Sequence, residues 1–280
     1  MKKKYSIEIV TNQAYELKSL STDLFEEVHI AYLPSTKQLE IVEACMIAND
    51  LGFRPVPHCP ARTIGTKKSL EKYIQKITNE GINKLLCIGG SSNNHSGLIR
   101  DDLKNLKSYK ETMDIFTSGI LEEYGIEEIN IAGFPEGNID DPESDLNVLK
   151  KCDWLNQKNI KCSIITQWTT NTKQTNQWII NTKNMISKIN PNNFQIHLGI
   201  VGPVNLKRLI RFAEICGIQS ELLKKQLESN KKNYEPTEYL ESLIPKTILH
   251  DVIPFDNLHF FPFGGIERLS SWLSKKPSLV

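Results

Sequence analysis

Short β-rich runs alternate with longer helix-like runs along this 280-residue chain, and that alternation restricts the fold more than any motif does. Strands are expected at Tyr5–Val10, Glu27–Leu33, Arg54–His58, Lys84–Ile88, Glu128–Gly133, Lys161–Gln167, Gln195–Ile200 and Asn257–Phe263. Helix patterns fall between them at Lys37–Leu51, Lys67–Asn79, Ile115–Tyr124, Pro142–Asn156, Lys173–Ile189 and Asn205–Cys216, with apolar residues recurring every three or four positions, as in Leu39, Val42, Met46 and Ile47. The stretch from Gln219 to His250 reads as helix in pieces, broken by Pro236 and Pro245. Repeated strand–helix units imply a parallel sheet, either an open doubly wound one or a closed barrel. Eight units favour closure. The G-x-G-x-x-G turn of a dinucleotide-binding open sheet is missing after the first strand, and so is a Walker-type phosphate loop. The expectation is an α/β fold, a single (β/α)8 barrel over residues 1–280, a length such barrels commonly reach.

Composition narrows the partners. With 39% hydrophobic and 24% charged residues the chain can bury a large core, which excludes wholesale disorder. Lys+Arg at 34 against Asp+Glu at 33 gives a net charge of +1, too little for a long-range pull on nucleic acid or anionic lipid. The basic run Lys2-Lys3-Lys4 leads into a strand pattern rather than an apolar leader, and no stretch approaches the roughly 20 apolar residues that span a bilayer. A cytoplasmic protein is expected, with no nucleic-acid or membrane partner and with homo-oligomerisation left open. The six cysteines are scattered and read as buried thiols, not as a disulfide scaffold. His58, Cys59, Cys87 and His95 match no usual metal-ligand spacing, so no metal is expected.

In a parallel barrel, side chains alternate between the helices and the barrel interior, and catalytic groups gather at the strand C-termini. In Tyr5-Ser6-Ile7-Glu8-Ile9-Val10 the apolar Ile7 and Ile9 belong under the helices, which aims Glu8 inward near the upper rim. A carboxylate there is costly unless solvated, paired or used, and dry surroundings would raise its pKa toward that of a general acid. A structural Glu bonded to a neighbouring strand is the plainer alternative. The third strand ends on His58 and the fourth on the turn Gly89-Gly90-Ser91. The sixth ends on Gln167, whose amide offers both donor and acceptor to a heterocycle edge.

Taken together and in order, these residues resemble the methylenetetrahydrofolate reductase family, over nearly the whole chain. The carrying motifs are Ser6-Ile7-Glu8-Ile9, Pro57-His58, Ala132-Gly133-Phe134-Pro135-Glu136-Gly137-Asn138, Asp145 with Leu149-Lys150, Ile165-Thr166-Gln167, Gly199-Ile200 with Asn205 and Phe212, and His259-Phe260-Phe261. The resemblance implies a barrel that reduces 5,10-methylenetetrahydrofolate to 5-methyltetrahydrofolate, with FAD as cofactor and NADH or NADPH as reductant. It implies Glu8 as general acid, and Ser91, Gln167 and Phe212 as contacts to the folate. Flavin contacts are implied at Tyr32, His58, Gly89, Gly90, Phe116, Thr117, Ala132, Phe134, Asn138, Asp145 and Lys151.

The departures cluster on the cofactor side. Gly89-Gly90-Ser91 stands where the family has Arg-Gly-Asp, Phe134 and Asn138 replace a Tyr and a His, and Cys152 replaces a Lys. Gly265 falls where an Arg is expected and Arg208 where a Gln is. Two alternatives follow: a folate-dependent demethylase, oxidase or flavin-independent folate reductase on the same barrel, and a non-catalytic folate-binding barrel. A poised carboxylate inside the barrel speaks against the last.

Overall fold

The computed structural model describes residues 4–90, 109–243 and 255–275. Eight parallel strands close into a barrel: β1 (Tyr5–Val10), β2 (Phe25–Ala31), β3 (Arg54–Pro60), β4 (Lys84–Ile88), β5 (Glu128–Gly133), β6 (Cys162–Thr166), β7 (Phe194–Val201) and β8 (Asn257–Phe261). They pair in chain order, and β8 closes on β1 through Ser6 opposite His259 and Ile7 opposite Phe260. With alternating helices outside, this is the (β/α)8 barrel.

Several boundaries differ from the sequence reading, each for a local reason. The second strand starts at Phe25, which is buried in the core, and stops before Leu33, which is 46% exposed. A 3₁₀ helix, Thr11–Ser19, makes the first connection, where the apolar periodicity shows no helix. The expected helix Ile115–Tyr124 is two short ones, Thr112–Phe116 and Ile120–Glu123, because Gly119 between them has φ of 78°. The helix after β7, Leu206–Cys216, is capped by Asn205, whose side chain accepts from the Lys207 amide at 3.0 Å. Pro236 does separate two helices, Glu221–Glu228 and Thr237–Leu243, while Pro245 lies outside the described residues.

The main core lies between sheet and helices and takes the outward strand residues, Ile7, Ile9, Val28 and Ile30 among them. The inward face is different. Val56, Leu86 and Ile165 form a small separate apolar cluster inside the barrel. Around it run buried polar residues: Ser6, Glu27, His29, His58, Lys84, Asn130, Ser163, His197 and His259. A polar interior of this kind costs free energy unless its members pair.

Candidate active site

Three strands bring one carboxylate and two imidazoles together at the C-terminal end of the barrel. Glu8 points inward from β1, with its side chain 25% exposed. His58 Nε2 from β3 lies 3.3 Å from Glu8 Oε2, and His259 Nε2 from β8 lies 3.8 Å from the same oxygen. Ser6, two residues earlier on β1, places its hydroxyl 2.9 Å from His259 Nδ1. His29 on β2 lies behind, its ring 4.7 Å from that of His259 and edge-on to it.

This arrangement reverses the electrostatics expected from the sequence. Burial alone would raise the Glu8 pKa, but the charges and hydrogen bonds of His58 and His259 outweigh it, so the carboxyl sits well below the usual range. Glu8 is therefore a carboxylate at neutral pH and carries no proton of its own to give. His29 behaves in the opposite way, since burial pushes its pKa down to about 3 against the pull of Glu27 and it stays neutral.

A neutral His29 separates the mouth from a second ionic cluster at the N-terminal end of the barrel. Lys84 Nζ lies 2.6 Å from Glu27 Oε1 and 3.1 Å from Glu128 Oε2, and Arg54 reaches Glu128 Oε1 at 3.1 Å. Two cations and two carboxylates balance there. Glu27, Lys84 and Glu128 border a polar cavity of about 370 Å³ that also meets His197, Asn193 and Gln195. A balanced ionic cluster at this end of a barrel serves stability rather than chemistry.

Gln167 follows β6 at the same end as Glu8; its Oε1 accepts the Trp168 amide at 3.1 Å, and among the described residues no partner is found for its Nε2. Phe212 stacks on Phe263 at 4.0 Å with 10° between the rings, and the Arg208 guanidinium lies 5.7 Å over it. Gly199 makes this corner possible: a Cβ there would stand 2.2 Å from the Thr166 carbonyl oxygen and 2.8 Å from Phe261. Glu136 takes a helix-capping role, its Oε1 accepting the Thr170 and Asn171 amides at 2.6 and 2.9 Å just before helix Thr172–Ile186.

Several residues of the implied flavin set are engaged by other groups of the protein among the described residues. Arg62 occupies the Gly89–Gly90 turn: its Nε donates to the Gly90 carbonyl at 3.1 Å, and a Cβ on Gly89 would meet its Nη2 at 3.0 Å. Phe116 is sealed in the core, stacked on Trp154 at 4.9 Å. Asp145 accepts the Trp178 indole N–H at 2.6 Å, and the Thr117 hydroxyl donates back to the Met113 carbonyl. Tyr32 packs against Tyr73 at 5.5 Å, and Asn138 closes a turn on the Asp140 amide. Ala132 and Phe134 are half-buried at the end of β5 and just after it. Lys151 is half-buried as well, and burial pushes its pKa down beside Asp141 and Glu111. Ser91 and His95 lie outside the described residues. Cys59 and Cys87 are register partners on β3 and β4 and both are buried, burial pushing the Cys59 thiol well above its ordinary pKa, and among the described residues no group of His, Cys, Asp and Glu could hold a metal ion.

Sequence reasoning singled out Glu8 and His58, which the fold brings within 3.3 Å of each other, and gave no place in the barrel interior to His29, His259 or Arg62. Period-two alternation was the available signal, because Glu27 with His29 and Asn257 with His259 fall on inward positions that an apolar barrel would fill with Val or Ile.

No protein-family model matches the chain. Among solved structures it is similar to a protein from Clostridium thermocellum that binds two copies of 5-methyl-5,6,7,8-tetrahydrofolic acid, with 13% identity, 99% of this chain and 95% of that one covered, and a TM-score of 0.63. It is more distantly similar to a psychrophilic glycoside hydrolase family 10 endo-β-1,4-xylanase (10% identity, 92% and 85% covered, TM-score 0.49). A type I 3-dehydroquinate dehydratase from Clostridium difficile follows (10%, 70% and 74%, 0.42). At these identities the likeness is one of fold. Among the described residues no helix is long and apolar enough to cross a membrane.

Proposed function

We propose that the barrel mouth binds a reduced folate and that the chain is an oxidoreductase of the methylenetetrahydrofolate reductase type, acting on 5,10-methylenetetrahydrofolate with NADH or NADPH. The carrying observation is an ionised Glu8 held at the mouth between two imidazoles. Support comes from the ordered motifs in the sequence and from the folate ligand of the C. thermocellum barrel.

Each residue then has a definite task. Opening the one-carbon bridge leaves an iminium cation at N5 of the pterin, and a fixed carboxylate in a partly dry site stabilises a cation more than water does. Gln167 offers its free amide N–H groups to the pterin edge. The Phe212–Phe263 stack gives a flat apolar face for the aminobenzoyl ring. Hydride transfer from the nicotinamide to the iminium carbon gives the methyl product and the oxidised nicotinamide.

Because Arg62 fills the Gly89–Gly90 turn and Phe116 is sealed off, the proposal takes the nicotinamide as the direct hydride donor, with no flavin between. The test is the visible spectrum of the purified protein followed by NAD(P)H oxidation with and without 5,10-methylenetetrahydrofolate. Folate-dependent oxidation by colourless protein is expected. Flavin absorbance that tracks activity would overturn the direct transfer, and no folate-dependent oxidation would overturn the reductase reading.

A further inference from the structure

A nicotinamide dinucleotide ends in an adenosine phosphate, and this chain carries neither of the glycine-rich turns that commonly hold such a group. We infer that the adenosine phosphate end sits in a cavity beside the barrel mouth, walled by the segment after β6 and by the helices Leu206–Cys216 and Glu221–Glu228. The inference rests on the reading of the chain as a nicotinamide-dependent reductase.

The cavity holds about 330 Å³, at the small end of the roughly 300–1,000 Å³ range of ligand sites. It has room for a nucleoside and not for a whole dinucleotide, so the rest of the molecule must lie outside it. Its apolar wall is made by Trp168, Leu209 and Leu223, all buried, and by Leu222 at the rim, which is 51% exposed. A flat ring laid there takes Leu222 out of water and meets an indole. Trp168 also ties the cavity to the mouth. It follows Gln167 directly, and its ring stands edge-on to Phe263 at 5.8 Å, the ring on which Phe212 stacks.

The polar lining selects the ligand, because much of it is already committed. The Thr169 hydroxyl is bonded to the hydroxyls of Thr175, at 2.7 Å, and of Tyr239. The Thr170 hydroxyl is held between Glu136 Oε1 and the Gln219 carbonyl at 3.2 and 3.1 Å, and the Ser229 hydroxyl donates to the Gln226 carbonyl at 2.8 Å. Gln226 Oε1 and Lys225 are different. Gln226 Oε1 is buried and accepts no hydrogen bond among the described residues, a state that costs free energy until a donor arrives. Lys225 makes no ion pair among the described residues, whereas its neighbours are paired, Lys224 with Glu214 at 4.0 Å and Lys231 with Glu238 at 2.8 Å.

An acceptor in want of an N–H and a cation in want of an anion, beside an apolar wall, describe an adenine and a phosphate. The glutamine amide matches the amine edge of adenine, and a lysine binds phosphate as a point charge. Tyr234 also lines the cavity, and its hydroxyl can give or take a hydrogen bond, which suits a ribose. The polar cavity at the N-terminal end of the barrel offers no such place, since its buried cation Lys84 is already held by Glu27 and Glu128.

The probe is adenosine 5′-monophosphate, titrated by calorimetry into the full chain, with adenosine beside it. The monophosphate is expected to bind more tightly than adenosine, and NADH is expected to displace it while 5-methyltetrahydrofolate does not. Lys225→Met is expected to erase the advantage of the monophosphate over adenosine, about 5-fold, and Gln226→Leu to weaken both about 10-fold, each variant being checked for folding by circular dichroism. No binding of the monophosphate at millimolar concentration, or binding that neither variant changes, would overturn the site. Binding that NADH does not displace would overturn the assignment to the dinucleotide. If the wild type shows no folate-dependent oxidation of NADH or NADPH, the reductase reading fails, while the monophosphate titration still decides the cavity.

Discussion

Lowering the pH from 8 to 5 is expected to cost this protein a large part of its stability through two histidines that the barrel keeps uncharged. Burial holds His29 at a pKa of about 3 and His197 at about 4, against about 6.5 in an unfolded chain. Both folded values lie below the unfolded one, so the unfolded chain takes up protons that the folded one refuses. The stability is whole above about pH 7 and drains as pH falls below about 6.5, until the folded groups themselves titrate. At pH 5 each histidine has covered about 1.5 pH units of that window, worth about 2 kcal/mol, so the pair loses about 4 kcal/mol. Domains have only about 5–15 kcal/mol to lose. Urea unfolding followed by tryptophan fluorescence at pH 8, 6.5 and 5 measures the loss, with the His29→Gln/His197→Gln double variant beside the wild type. The other histidines are common to both proteins, so the difference between the slopes isolates these two. The same loss in both proteins, or a stability that does not move between pH 8 and 5, would show that the two imidazoles are charged in the folded state.

Other perturbations follow from the same geometry. Lys84→Met leaves Glu27 and Glu128 facing Arg54 alone in a buried setting, and the loss is expected at about 3–5 kcal/mol in urea unfolding at pH 7. Adding Glu27→Gln restores the charge balance and should recover part of it; losses that simply add would refute the coupling. Gly199→Ala drives a Cβ to 2.2 Å from a backbone oxygen, so a destabilisation of about 3 kcal/mol is expected by thermal unfolding, and a wild-type midpoint would contradict the packing described. Phe212→Ala removes one face of the stack over which the aminobenzoyl ring is placed and should weaken 5-methyltetrahydrofolate binding about 10-fold in calorimetry, as about 1–1.5 kcal/mol of aromatic contact implies. Unchanged affinity would move the ligand elsewhere.

The barrel was legible because hydrophobic periodicity changes from two to about 3.6 at each unit, and eight such changes leave few folds. The ends of elements were less so. Leu33 carries the β-pattern past the point where Ala31 ends the ladder, since nothing in composition separates an exposed apolar residue from a buried one. Glu8 could be placed inside the barrel by alternation with Ile7 and Ile9. Its charge could not, because the imidazoles that hold it ionised arrive from strands some 50 and 251 residues away in the chain, the latter as His259. Arg62 was invisible for a similar reason: a Gly-Gly turn after a strand signals room for a ligand, and only the fold shows that a guanidinium already fills it.

The most direct test is the rate of 5,10-methylenetetrahydrofolate-dependent NADH or NADPH oxidation by the wild type and by Glu8→Gln, a change that keeps shape and removes the charge. The wild type is expected to turn over and the variant, folded by circular dichroism, to fall by about 10²-fold or more. Equal rates in the two proteins would take Glu8 out of the chemistry and with it the site built around it.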